Sequence, residues 1–331
     1  MMAGPPAVPP APAPSPRRRM TWAQFASRYG MLSIFAVLVA VLIVTSPTFR
    51  EPANLVNVLQ QNSIIGIVAC GMLLMIVVGG FDLSVGAVGA MSSCVAAAVI
   101  INTSIPLGIA AGLAVALGVG ILNGVLIAKV GINPFVTTLG TQVLVYGLLY
   151  VATNAQPIYG LPSELTWLGL GRIGPVPVAA LVFATVIAIT FVILHLTAFG
   201  HHIYAVGGNR DAARLAGIGV DRVMIATYGI GGLFAGIAGL VLLGQTNIGQ
   251  PASAQSWPLA AIAAVVVGGV PLTGGIGGVG GAVLGTLLLG TVANALNQFS
   301  VSPYWQPAIT GLVILVAVGL DSYQRKRSGT S

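Results

Sequence analysis

Among the 13 basic and six acidic residues of this 331-residue chain, five crowd into one polar island between long apolar runs. The island is FGHHIYAVGGNRDAARLAGIGVDR, Phe199 to Arg222, and it holds Arg210, Asp211, Arg214, Asp221 and Arg222 beside His201 and His202. Asn209 is placed to cap a short helix, Arg210 to Ala216 to form it, and Gly217 to end it. Ala212, Ala213, Leu215 and Ala216 give that helix a small-residue face, and Arg210 and Arg214 lie one turn apart. Such a helix can lie along a membrane surface and fit a groove in a soluble partner. The three histidines, His195, His201 and His202, have no acidic or cysteine partner at ligand spacing and do not make a metal site.

A second chemically loaded motif is GGFDLSVG, Gly79 to Gly86, with Asp82 the sole acidic residue between Glu51 and Glu164. At the centre of a bilayer a carboxylate costs ~3 kcal/mol on insertion scales. At a junction between two helices, Asp82 or Ser84 instead caps the second one, with Gly86 just inside it. Capping is the expectation; substrate or ion binding takes its place if the helix is broken within the bilayer. Nothing in the chain pairs a nucleophile with a base, and no glycine-rich stretch has the GxxxxGK[ST] form that cradles a nucleotide. Cys70 and Cys94 lie in apolar runs and read as buried small hydrophobes.

The remaining polar side chains inside apolar runs are neutral. Gln61, Asn62, Asn133, Thr137, Thr138, Gln142, Asn294, Asn297 and Gln298 can offer amides and hydroxyls to the hydroxyls of an uncharged polyol crossing the bilayer. Hydrogen bonding between helices, worth about 0.6–2 kcal/mol per contact, is at least as good an account of each one alone.

These residues must be positioned by a membrane-embedded frame. Apolar residues make up 56% of the chain and charged ones 6%, against roughly 25% charged in soluble domains. The expected fold is therefore an all-α polytopic bundle. The 45 glycines suit close helix contact, with pairs spaced by four at Gly108/Gly112, Gly120/Gly124, Gly232/Gly236, Gly277/Gly281 and Gly281/Gly285. A span needs ~20 apolar residues, which places helices near 30–46, 61–80, 84–101, 106–128, 134–153, 175–197, 223–244, 258–273, 279–297 and 304–320. That is about ten, with the glycine-rich 268–281 stretch the place for a hairpin, a break or a re-entrant element.

Charge orients the frame. With both termini cytoplasmic, Arg17, Arg18, Arg19, Arg28, Lys129, Arg210, Arg214, Arg222, Arg325, Lys326 and Arg327 fall on the cytoplasmic side, leaving only Arg50 and Arg172 outside. The net charge of +7 thus reflects orientation in a lipid bilayer, not nucleic-acid binding. Residues 1–29 read as a disordered, proline- and alanine-rich basic tail, 30–320 as the transmembrane domain with a cytoplasmic loop at 199–222, and 321–331 as a second basic tail. The 154–174 connector, with Tyr159, Glu164, Trp167 and Arg172, reads as an interfacial aromatic belt.

Six motifs in order carry a family resemblance: GGFDLSVGAVGAMS (Gly79–Ser92), NPFVTTLGT (Asn133–Thr141), TNAQPI (Thr153–Ile158), GHHIYAVGGNRDAARLAGIGV (Gly200–Val220), AIAAVVVGGVPLTGG (Ala261–Gly275) and NALNQFSVSPYWQ (Asn294–Gln306). Over roughly residues 30–320 the chain resembles the permease subunit of a bacterial ABC importer of the ribose/xylose/galactoside class. The resemblance implies a multi-pass protein of the bacterial inner membrane, a homo- or heterodimer of permease subunits, and separate ATP-binding subunits carrying ATP and Mg. It also implies an extracytoplasmic sugar-binding protein, and a coupling loop in which Asn209, Arg210, Asp211, Ala212, Arg214, Leu215 and Gly217 meet the ATPase. Two departures bear on whether the substrate is ribose itself. Trp257–Ala260 stands where the family often has an acidic pair, and Ile276 where it often has a basic residue. Against this reading stand two others: an ion-coupled secondary transporter working through Asp82, and an ABC permease for a solute other than a sugar. A membrane enzyme ranks last.

Overall fold

Strings of apolar residues with almost no charge leave backbone amides no partner but each other, so helices form wherever such a string is long enough. The computed structural model describes residues 22–302 and scattered positions between 304 and 319. The helices are α1 Trp22–Thr45, α2 Pro52–Val77, α3 Val85–Asn102, α4 Ile105–Val125, α5 Pro134–Thr153, α6 Thr166–Leu170, α7 Val178–Leu196, α8 Ala198–Gly208, α9 Arg210–Leu215, α10 Val220–Thr246, α11 Trp257–Val267 and α12 Val279–Gln298. A π turn, Leu126–Val130, prolongs α4. Among the described residues seven helices are long and apolar enough to cross a membrane: α2, α3, α4 with its π turn, α5, α7, α10 and α12. The described positions of 305–319 are helical as well.

Two boundaries differ from the sequence expectation. Helix α1 begins at Trp22, so the last eight residues of the expected 1–29 tail, from 22 on, are helical; the rest of that tail and 321–331 lie outside the described residues. The expected span at 258–273 is instead an 11-residue helix, α11. At ~1.5 Å per residue it reaches about half the ~30 Å hydrocarbon depth.

The break before α11 runs through the protein. Ile158 and Gly249 exchange both backbone hydrogen bonds, at 2.9 and 3.0 Å, and Pro251 is buried. Ser253 O accepts from the Tyr146 hydroxyl at 2.8 Å. The Ala254 carbonyl, from a residue at φ +65°, lies against Gly86 near the start of α3. These bonds satisfy part of the buried irregular backbone, while Asn247 Oδ1 and Ser253 Oγ stay buried without a partner. The sequence pointed to 268–281 for an interruption; that stretch is indeed a non-helical turn up to Gly278, but residues 247–256 interrupt the helix on its other side.

The bundle is organised round α2, buried along most of its length, with α10, α12, α7 and α11 packed on it. Helices α4 and α10 pack closely because Gly120 and Gly232 face each other: a Cβ on Gly232 would come within 2.6 Å of Ala116 O and 2.9 Å of Gly120 Cα. Most of the other paired glycines also lie at helix contacts, Gly112 on Ser92 of α3, Gly124 on Ile225 of α10, and Gly281 and Gly285 on Gly268 and Ala264, but Gly277 lies in the turn before α12, so Gly277/Gly281 is not a helical pair. Helix α5 is peripheral and packs on α3 and α4. The connector at 154–177 folds onto the far end of α10 through Leu161 and Leu165, with Tyr159 and Trp167 exposed and a short hairpin, β1 Arg172–Ile173 and β2 Val176–Pro177.

Candidate functional site

The polar island folds as two short helices. Thr197 caps α8 by accepting from Gly200 N at 3.1 Å, and Asn209 caps α9 by accepting from Ala212 N at 2.9 Å. Gly217 closes α9 in the left-handed region, φ +82°. Gly217 N donates to Arg214 O and Ile218 N to Ala213 O, both at 3.0 Å, which satisfies the last carbonyls of the helix. Ala213 is the buried residue of α9, while Asp211, Ala212, Arg214 and Leu215 are exposed. Leu215 is 90% exposed, an apolar knob in a charged setting. Arg214 and Asp221 approach to 3.7 Å, both well exposed, a pairing worth ~0–1 kcal/mol at such a surface.

Arg210 does a different job from its neighbours. Its Nη2 donates to Gly79 O at 3.1 Å, at the C-terminal end of α2, where a cation also meets the negative end of the helix dipole. Beneath it Gly207 packs so tightly that a Cβ there would overlap Val77 O. Gly275 N, from the turn between α11 and α12, donates to Val77 O at 2.9 Å, and the Tyr204 hydroxyl donates to Gly277 O at 2.7 Å. The island is thus seated on the α2 end and on the glycine-rich turn. Sequence reasoning missed Tyr204 and the bond from the exposed Arg210 to Gly79 O.

Asp82 lies in the α2–α3 turn and is 1% exposed. One carboxylate oxygen accepts from Ser84 N and from Ser84 Oγ, both at 2.6 Å, and the other from Asn123 Nδ2 at 3.3 Å. Asn123 Nδ2 also donates to Ser84 Oγ at 2.9 Å, and its oxygen accepts from Thr141 Oγ1 of α5 at 2.7 Å. The Tyr228 hydroxyl donates to Phe81 O at 3.1 Å. Burial pushes the Asp82 carboxyl above its ordinary range, and the hydrogen bonds from Ser84 and Asn123 pull against that. Asp82 therefore holds Ser84, the residue just before α3, and Ser84 makes no side-chain cap bond of its own. Asn123, a lone amide in the apolar α4, was the overlooked signal.

The nine candidate path residues do not form one lining within the chain. Gln61 and Asn62 border a cavity of about 430 Å³ between α2, α11 and α12, which Ser256, Leu259, Thr286 and Gly290 also border. Asn62 Nδ2 is already donated to Val58 O. Asn294 exchanges hydrogen bonds with Asn54 at 3.3 and 2.9 Å and accepts from Gln298. Gln298 in turn accepts from Ser46 at 2.6 Å. This pair therefore ties α12 to the α1–α2 corner. Asn133 caps α5 through Phe135 N, Thr138 donates to Pro134 O, Thr137 is buried and Gln142 partly so, and Asn297 is exposed on α12. The α5 group and the α12 group lie on helices that do not pack together.

A family model described as "Branched-chain amino acid transport system / permease component" matches residues 54–318. The ribose import permease protein RbsC of Bacillus subtilis (strain 168) is 41% identical over 295 residues, which cover 88% of this chain and 91% of the relative. RbsC of Escherichia coli (strain K12) is 37% identical over 313 residues, covering 93% and 97%. The L-arabinose transport system permease protein AraH of the same strain is 37% identical over 319 residues, covering 96% and 97%. No solved structure matches the chain. With an apolar helical bundle, a seated polar island and a family match over most of its length, the chain belongs to the permease components described by that family.

Proposed function

We propose that the chain is the transmembrane permease subunit of an ABC importer for a sugar or a similar neutral polar solute. The motive energy comes from a separate ATP-binding subunit, which carries ATP and Mg and grips the exposed face of α9. The observation that carries this reading is the α8–α9 island: a capped, closed helix pair presenting Leu215, Asp211 and Arg214 outward while anchored to the bundle behind. Asn209 and Gly217 set the ends of that surface, Ala212 lies on it, and Arg210 backs it. The basic residues of the island and of both termini favour a cytoplasmic placement for all three, with about ten spans in a bacterial inner membrane.

The family description mentions amino acids, whereas the relatives above are named for ribose and L-arabinose. The chemistry of the cavity favours the sugar. Among the described residues its mostly apolar lining adds amides and hydroxyls and no charged side chain, which suits a polyol and leaves the ammonium and carboxylate of an amino acid without a charged partner. A second permease subunit, identical or not, completes the path, and an extracytoplasmic sugar-binding protein delivers the solute.

The test is a mild-detergent purification of the chain from its native membrane, alongside the double variant Arg214→Glu with Leu215→Asp. An ATP-binding protein is expected with the unaltered chain and not with the variant. A chain that comes alone and transports ribose or L-arabinose alone in vesicles would end the ABC reading.

A further inference from the structure

The island is more than a surface, because the two backbone elements it grips are the α2–α3 turn and the α11–α12 turn. Arg210 holds Gly79 O, in the turn between α2 and α3. Tyr204 holds Gly277 O, in the turn between α11 and α12. Between them Gly275 N joins the turns directly through Val77 O, and a Cβ on Gly274 would come within 2.8 Å of Gly79 Cα. Gly79, Gly207 with Gly208, and Gly274 with Gly275 thus meet backbone to backbone. Close-packed contacts of this kind transmit displacement instead of absorbing it.

From Gly79 the linkage runs on within the same turn. Three residues later Asp82 is bonded through Asn123 to Thr141, the polar tie from this turn to the peripheral α5. Phe81 O is held by Tyr228 of α10. A shift of the island therefore reaches α5 and α10 through one turn, and α11 and α12 through the other. Among the described residues, Tyr204 of α8 and Arg210 of α9 both donate side-chain hydrogen bonds into these two turns.

Resting on the ATP-driven reading above, we infer that Arg210 and Tyr204 are positioning residues that join the ATPase-facing island to the α2–α3 and α11–α12 turns, so that partner movement is delivered to both turns at once.

Thiol labelling in inside-out membrane vesicles containing the full chain and its native partners tests this. Cys70 and Cys94 are buried and silent toward an impermeant maleimide. Ile276→Cys reports the α11–α12 turn, where Ile276 is exposed, and Ala216→Cys reports the island. Mg-ATP is expected to change the labelling rate at both positions. With Tyr204→Phe, which removes the hydroxyl on Gly277 O and keeps the ring, the change persists at 216 and disappears at 276. Arg210→Gln loosens the second tie, at Gly79, which Gly275 N and Val77 O connect to the same turn, so it weakens the response at 276, and Arg210→Lys, which keeps a donor, restores it. A response at 276 that survives both Arg210→Gln and Tyr204→Phe overturns the inference, as does a chain in which 216 responds and 276 never does. If neither position responds to Mg-ATP, the ATP-driven reading itself falls.

Discussion

Replacing Asp82 separates its two possible uses, because alanine removes hydrogen bonds and asparagine removes charge. In Asp82→Ala the Ser84 backbone N–H and hydroxyl lose their acceptor, while Asn123 keeps Ser84 Oγ at 2.9 Å. Two orphaned buried donors at about 1–3 kcal/mol each put the cost at roughly 2–6 kcal/mol. Asp82→Asn keeps an acceptor oxygen for Ser84 but sets an amide NH2 where Oδ2 accepts from Asn123 Nδ2, so it should cost about 1–2 kcal/mol, less than alanine. Burial raises the Asp82 carboxyl in the folded chain, so its contribution to stability is full below the ordinary carboxyl value of ~3.9 and is lost as pH rises toward the raised value. The asparagine variant escapes that loss and should gain on the unaltered chain as pH increases. The assay is thermal unfolding of the purified protein, followed by reaction of Cys70 and Cys94 with a thiol-reactive fluorophore as their burial is lost. Equal destabilisation by alanine and asparagine would refute the hydrogen-bond account. A stable Asp82→Asn protein with no uptake would show that the carboxylate itself takes part in transport, as ion coupling requires.

Two further outcomes follow from the packing and the caps. Gly232→Val should prevent accumulation of folded protein in the membrane, since its Cβ already meets Ala116 O and Gly120 Cα and overpacking costs roughly 1–3 kcal/mol or more; Gly140→Ala, with nothing within 4 Å of its Cβ position, should be neutral when both are compared by thermal unfolding. Asn209→Ala removes the acceptor for Ala212 N at about 1 kcal/mol, and should reduce recovery of the ATP-binding partner without moving the unfolding midpoint of the bundle.

Features that depend on neighbours within a turn or two were legible in the sequence. The apolar strings predicted α2, α3, α4, α5, α7, α10 and α12 because in lipid the backbone must satisfy itself locally. Asn209 and Gly217 predicted the ends of α9, since a cap acts across three residues and a left-handed stop acts on one. The glycine pairs predicted contact but not partners. Helices apolar on nearly every face carry no polar stripe to show which side packs inward, so nothing local says that Gly120 meets Gly232.

What the tertiary structure alone decided are contacts between residues far apart in the chain. Arg210 reads as a surface cation until α2 brings Gly79 O to 3.1 Å from it. Asn294 and Gln298 look like path lining until Asn54 and Ser46 take up their amides. Asp82 has Ser84 at hand in sequence, but its second anchor, Asn123, comes from another helix. The sequence set the helices and their caps through short-range hydrogen bonding and burial. Which polar group faces which depended on how the helices packed, because hydrogen bonds of about 3 Å reach form only after close packing has fixed those positions.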